Sequence, residues 1–523
     1  MTGVDATVDY VVVGAGSAGC VMANRLSEDA EVLVLEAGGP DEDREISIPA
    51  AIGDLYQSDY DWNYSTVPQP ELENREIYWP RGKALGGSSS INAMIHVRGH
   101  PLDYDTWAER GNEGWRWADV LPVFKRLEDD DYGGEYHGTG GPMHVHRPDP
   151  PELTAAWLDA AEAAGFERLE DLNGETLEGA GTYPVSQRNG KRHSAADGYL
   201  KPALDRSTLQ ARTHAHVTRI SFDGHEATGV EYRQHGKEFR VDAREEVVVC
   251  GGAVNSPQLL MLSGVGPADH LAEHGIDVVQ DLPGVGRNLQ DHLSIGCIYE
   301  STEPVTLDDA ESLPNVLRWF LLNSGPLTSN IAEAGAFFRS DPDRPAPDLQ
   351  FHFIRAFYKR HGFDNPAEGH GFFAGPTLLT PESSGYLELR SADPMAKPFI
   401  DPQYFSADAD LERLVTGMRR AREVAEASPL DAYRGREHWP GADVTTDEEM
   451  ADFVRRHVET IYHPVGTCKM GEDDMAVVDD DLRVHGVEGL RVVDASVMPT
   501  VPRGNTNIPT IMVAERAADF LAG

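Results

Sequence analysis

The first clear hydrophobic run in the chain is Tyr10-Val11-Val12-Val13, continuous and β-branched, as a buried strand requires. Residues 17–26 follow with a helical pattern, and a second apolar run at 32–35 ends at Glu36. Residues 124–131 begin helical and become an acidic run, which reads as a solvated face. An amphipathic helix is expected over 153–164. Residues 214–220 and 230–240 read as β structure broken by a turn at Asp223-Gly224, and Val247-Val248-Val249 as a further buried strand. From about 298 to 455 the rhythm changes to alternating strands and longer helices. Residues 349–354 and 386–390 alternate as half-buried antiparallel strands do, and 411–425 reads as a helix. The chain closes with an apolar run at 490–496 and a helix over 510–521.

The turn between the first strand and helix carries Gly14, Gly16 and Gly19. In a strand–turn–helix–strand context this spacing is a dinucleotide fingerprint. Gly14 makes the tight turn, Gly16 lets backbone approach a pyrophosphate, and Gly19 allows helix and strand to pack closely. The amides of Ser17 and Ala18 point at phosphate from the positive end of the helix. Glu36 is placed to accept hydrogen bonds from a ribose. The pattern does not choose between NAD and FAD. Gly264-Val265-Gly266 and Gly284-Val285-Gly286 open no second full fingerprint, so one nucleotide site is expected.

Composition narrows the class. At 523 residues with 40% apolar content, two lobes with an ample core are expected. No apolar run is long enough to span a bilayer. The first residues lack the charged segment of a signal peptide, which points to the cytoplasm. Four scattered cysteines (Cys20, Cys250, Cys297, Cys468) form no Cys-x-x-Cys, and no metal site is indicated. The net charge of −42 accompanies only eight lysines, a pairing that suggests a salt-adapted (halophilic) surface. Such a surface repels nucleic acid and anionic membranes. Nothing in the sequence fixes the oligomeric state.

Four blocks in order closely resemble the glucose–methanol–choline oxidoreductase family, the FAD-dependent alcohol oxidases and dehydrogenases. They are the N-terminal fingerprint, residues 82–92, residues 252–266, and a C-terminal pair: Tyr462-His463-Pro464-Val465-Gly466-Thr467 and Gly504-Asn505-Thr506-Asn507-Ile508-Pro509-Thr510. Residues 60–64 through Arg98-Gly99 look most like its bacterial choline-dehydrogenase-like branch. The resemblance implies an α/β chain (α+β overall): a doubly wound, Rossmann-like FAD lobe and an antiparallel-sheet substrate lobe. The expected boundaries are 1–150, 205–297 and 456–523 for the first, and 151–204 with 298–455 for the second. It makes the cofactor FAD, with Glu36 on the adenosine ribose and Val217 on the adenine side. Gly86, Gly87, Ser88, Ser89, Asn92 and Met94 would surround the flavin and ribityl chain, and Asp494, Ala495 and Pro509 would lie along the pyrophosphate and ring. Some relatives attach FAD through a His in the serine-rich segment. Here Ile91 stands at that position, so non-covalent FAD is expected.

Alcohol oxidation by a flavin needs the protein to manage the hydroxyl proton. His463 is the candidate base, since imidazole titrates near neutral pH. Asn507 would hydrogen-bond the same oxygen, with Asn505 the competing choice, and Tyr462 would pack beside the ring. Some relatives carry His at the second position. His292, His96 and Cys468 read as structural. The expected reaction is oxidation of an alcohol to an aldehyde or ketone by hydride transfer to flavin N5. The alternatives are a hydroxynitrile lyase-like enzyme of the same fold and a flavin-bound protein without turnover. The substrate lobe carries no motif that names the alcohol, and none distinguishes oxygen from another electron acceptor.

Overall fold

A computed structural model describes residues 4–366 and 368–521. Its first sheet is built on the β-branched runs. Leu209–Arg212, Val32–Leu35, Ala6–Val13, the end of Lys237–Val249 and Leu490–Val492 lie side by side, all parallel. Strands buried on both faces read as continuous apolar runs, and Val32–Leu35 is buried at every position. The thirteen-residue strand Lys237–Val249 serves two partners. Its first half pairs antiparallel with Glu226–Gln234, which pairs in turn with Ala215–Asp223.

The expected strand over 230–240 is thus two strands. His235 and Gly236 sit at φ 50° and 74° and turn the chain between them. The Asp223-Gly224 turn is where the sequence put it.

The second sheet is antiparallel, in the order Arg434–Trp439, Cys297–Ser301, Gly371–Leu378, Leu349–Ile354, Ala332–Phe338 and Gly179–Thr182. The helix Asp408–Glu426 packs across it. Gly417 permits the approach, because a Cβ there would sit 2.5 Å from the Cβ of Pro376. Leu349–Ile354 was expected to be half-buried, yet all six residues are buried. Its polar positions, Gln350 and His352, face other polar groups inside the molecule rather than water. Short strands Leu293–Ser294 and Glu459–Thr460 pair with each other, and the first also with Gly371–Leu378. They tie two chain segments, 290–294 and 459–463, to the inner edge of this sheet.

The acidic run at 128–131 is the other departure. Glu128 and Asp130 are 0% and 1% exposed. Glu128 accepts from Arg98 Nε (2.7 Å) and lies 3.1 Å from His96, while Asp130 pairs with Arg147 (2.8 Å) and His137 (3.2 Å). Burying charge is tolerated only when it is paired. These partners hold Asp130 well below the usual carboxylate range and raise His137 to about 9. Glu128, Asp130 and His137 are close enough to share a metal ion, but Arg98 and Arg147 already neutralise the two carboxylates.

The terminal helix Asn507–Leu521 packs on the first helix, Ser17–Leu26. Glu515, 1% exposed, accepts from Arg25 (2.6 Å) and from Tyr199 Oη (2.7 Å) and locks the two helices together.

Candidate functional site

The glycine turn builds one end of a long cavity. Gly14 sits at φ 95°, and a Cβ on Gly19 would lie 1.9 Å from the Gly14 carbonyl. Only glycine allows that helix–strand approach. The helix Ser17–Leu26 starts at Gly16 with no side-chain cap and no acid in its first turn. Its first amides are therefore open to an anion in the cavity. Glu36 accepts from the amides of Ala15 (2.8 Å) and Gly38 (2.7 Å), which fix its carboxylate at the cavity wall.

The cavity holds about 340 Å³ and continues from this cradle, past Gly87, Ser88, Ile91, Asn92 and Met94, to the face of the second sheet. An uncapped helix N-terminus with the fixed Glu36 carboxylate in the same wall fits FAD. Val217, Asp494, Ala495 and Tyr462 also line it. Four residues expected at the cofactor, Gly19, Gly86, Ser89 and Pro509, do not reach the wall. Gly19 acts through packing, and Ser89 Oγ turns inward to the Gly86 carbonyl (2.6 Å). Asp494 lines the cavity, but its oxygens are taken by the Gly252 amide, Ser256 Oγ and the Ser496 amide. It therefore braces the helix Gly252–Leu262 from below.

His463 lines the same cavity. Its amide donates to Asp291 Oδ1 (2.8 Å), and Asp291 Oδ2 accepts from Thr460 Oγ1 (2.5 Å). Tyr462, at φ 71°, makes the bend that aims the next side chain inward. The His463 ring meets His292, Nδ1 to Nδ1, at 3.0 Å. His292 Nε2 lies 3.0 Å from the Leu379 carbonyl. A carbonyl only accepts, so His292 Nε2 carries the hydrogen, and Nδ1 of that neutral ring must accept. His463 Nδ1 is consequently the donor of the pair. That leaves the His463 Nε2 lone pair toward the cavity. Burial, reinforced by His292, His352 and Arg81, pushes the His463 pKa well below its usual value and keeps the ring neutral.

The carboxamide beside that lone pair belongs to Asn505, with Nδ2 3.4 Å from His463 Nε2. Asn505 Oδ1 faces Gln350 Nε2 (3.4 Å), which orients the amide. Of the two asparagines weighed for the substrate oxygen, Asn505 is the one beside His463, and Asn507 also lines the cavity. Asn507 is the first residue of the terminal helix, and its Oδ1 accepts from Ser17 Oγ (2.7 Å). His292, read as structural from sequence, touches the candidate base directly. His96 is buried between Ser186 (3.0 Å) and Glu128, and Cys468 is buried, away from the cavity wall.

Family models for GMC oxidoreductases match residues 8–294 and 381–514. An uncharacterised GMC-type oxidoreductase of Mycobacterium tuberculosis is 48% identical, covering 99% of both chains. An oxygen-dependent choline dehydrogenase of Brucella ovis is 46% identical, over 98% of this chain and 95% of its own. Among solved structures, pyridoxine 4-oxidase from Mesorbium loti superposes with a TM-score of 0.89 at 35% identity, covering 98% of each chain. The chain therefore belongs to the GMC oxidoreductase family and is an FAD-dependent oxidoreductase acting on CH–OH donors.

Proposed function

We propose that His463 is the catalytic base of an alcohol oxidation and that Asn505 is its partner at the substrate oxygen. The observation that carries this reading is the relay Leu379 carbonyl–His292–His463, which ends in a lone pair beside an oriented amide. FAD in the cavity supplies the two-electron acceptor for the substrate carbon. The chain's own groups do the rest. An alcohol oxygen between His463 Nε2 and Asn505 Nδ2 gives its proton to the first and accepts from the second. His463 then carries the proton while Nδ1–H stays bonded to His292. Base catalysis of this kind contributes about 10² to 10⁴ in rate.

Glu36, the open amides of the first helix and the 87–94 segment hold the cofactor in this reading, and Asn507 fastens Ser17 at the phosphate cradle. Substrate-side residues in this reading include His352, Ile354 and Phe373 of the second sheet. The −42 charge and scarcity of lysine support a salt-adapted enzyme. Among the described residues no helix is long and apolar enough to cross a membrane.

Anaerobic addition of an alcohol to the flavin-loaded protein tests the reading. Bleaching of the flavin is expected. An oxidised spectrum across aliphatic, aromatic and amino alcohols would overturn it, as a lyase or a silent flavoprotein requires. Reoxidation of the bleached protein by oxygen or by a dye then identifies the acceptor class.

A further inference from the structure

The alcohol itself has a chemical signature in the cavity wall. Three carboxylates line the cavity: Glu36, Asp494 and Glu459. The first two lie at the nucleotide side with their oxygens engaged by backbone and serine donors. Glu459, on the substrate side, spends one oxygen on Arg75 (2.9 Å) and the other on His361 (3.1 Å). Two guanidinium groups face the same space without a carboxylate partner among the described residues. Arg81 donates to the carbonyls of Pro80 and Tyr462, and the exposed Arg360 also lines the cavity. The neighbouring Lys359 is paired with Asp364 (2.8 Å).

Aromatic faces could in principle hold a cation. Both tryptophans in the wall already carry one: Lys83 lies 4.8 Å from the Trp62 ring and Lys359 5.1 Å from Trp439. Tyr56 and Tyr462 pack edge to face against each other, as do Tyr358 and Phe373. Ile52, Ile331, Ile354 and Ile461 add apolar surface, and the polar groups among them, Ser294, Asn330, His352 and Thr460, are uncharged or held neutral. With Glu459 already paired, the substrate side offers no free counter-charge to a permanent cation, which cannot shed its charge on entry.

We propose that this enzyme selects alcohols borne on an uncharged apolar or aromatic body and discriminates against quaternary ammonium alcohols. The inference rests on the alcohol-oxidation reading above. It runs against the substrate that the name of the Brucella relative would suggest.

Choline and 3,3-dimethylbutan-1-ol are a suitable pair, because they share one shape and differ by one charge. Rapid-mixing flavin reduction of the holoenzyme should favour the neutral isostere by at least about tenfold in the second-order rate constant. Binding provides an independent readout: tetramethylammonium should leave the oxidised flavin spectrum unchanged at concentrations where benzyl alcohol perturbs it. Arg360→Glu should shift the ratio several-fold toward choline. Choline reacting as well as the isostere, or a ratio untouched by Arg360→Glu, would overturn the proposal. Silence from every alcohol is a different failure, that of the oxidation reading itself.

Discussion

Replacing His292 tests the relay where it is most exposed to refutation. His292→Leu removes the acceptor of His463 Nδ1–H and the donor to the Leu379 carbonyl, both buried. Each orphaned group costs about 1–3 kcal/mol, so stability should fall by about 2–6 kcal/mol. The rate effect has two bounds. Loss of one orienting neutral hydrogen bond, about 0.5–1.5 kcal/mol, slows the reaction about two- to thirteenfold. If the freed ring also turns its hydrogen to Nε2, the whole base contribution of about 10² to 10⁴ is lost. A decrease of at least about twofold in flavin reduction, normalised to bound flavin, is expected. His292→Gln offers a carbonyl to His463 and an amide to Leu379, so it should recover most of that rate. A His292→Leu holoenzyme that reduces its flavin at the wild-type rate would refute the tautomer argument, whatever its stability.

Asn505→Ala should slow flavin reduction by alcohol more than Asn507→Ala, while Asn507→Ala should weaken FAD retention; stopped-flow rates and flavin content, measured on both, separate the two roles. Thermal stability should fall as pH drops from about 6.5 toward 4, because folded His292 and His352 stay neutral to about 3 and about 4 while the unfolded chain takes up protons near 6.5. His137 works the other way: its contribution is full below about 6.5 and is lost as pH rises through about 9. Melting temperature against pH checks both limbs. Melting temperature should also climb steeply from low to molar salt, as the screening length shrinks from about 10 Å at 0.1 M to about 3 Å at 1 M; a flat curve would reject salt adaptation. Acid precipitation should release the yellow chromophore into the supernatant, since the aliphatic Ile91 lines the cavity where a linking His would stand; flavin kept in the pellet would contradict non-covalent binding.

The nucleotide end of the site was legible in the sequence because its logic is local. Gly14, Gly16, Gly19 and Glu36 lie within one strand–turn–helix–strand unit, and their spacing alone carries the geometry. The reactive end was legible only in part. Asn505 and Asn507 are two residues apart, and the start of the terminal helix decides which one faces His463. His292 lies 171 residues from His463, and no pattern in either segment announces the other. Gln350 and His352 looked like the solvent face of an alternating strand. A wall of an internal polar site produces the same alternation as a wet surface. The acidic run 128–131 misled for a similar reason, since Arg98 and Arg147, which pay for its burial, are distant in sequence.

The bond between Ser17 and Asn507, with Glu515 clamped by Arg25 and Tyr199, also sets an order of events during biosynthesis. Ser17, at the phosphate cradle, is synthesised 490 residues before the Asn507 that fastens it. Until the terminal helix docks, the first helix lacks its main partner and the buried Tyr199 lacks its acceptor. Docking of residues 507–521 thereby completes the cradle only after that helix has been made. A nascent chain missing only its final helix should already hold most of both sheets yet retain no flavin.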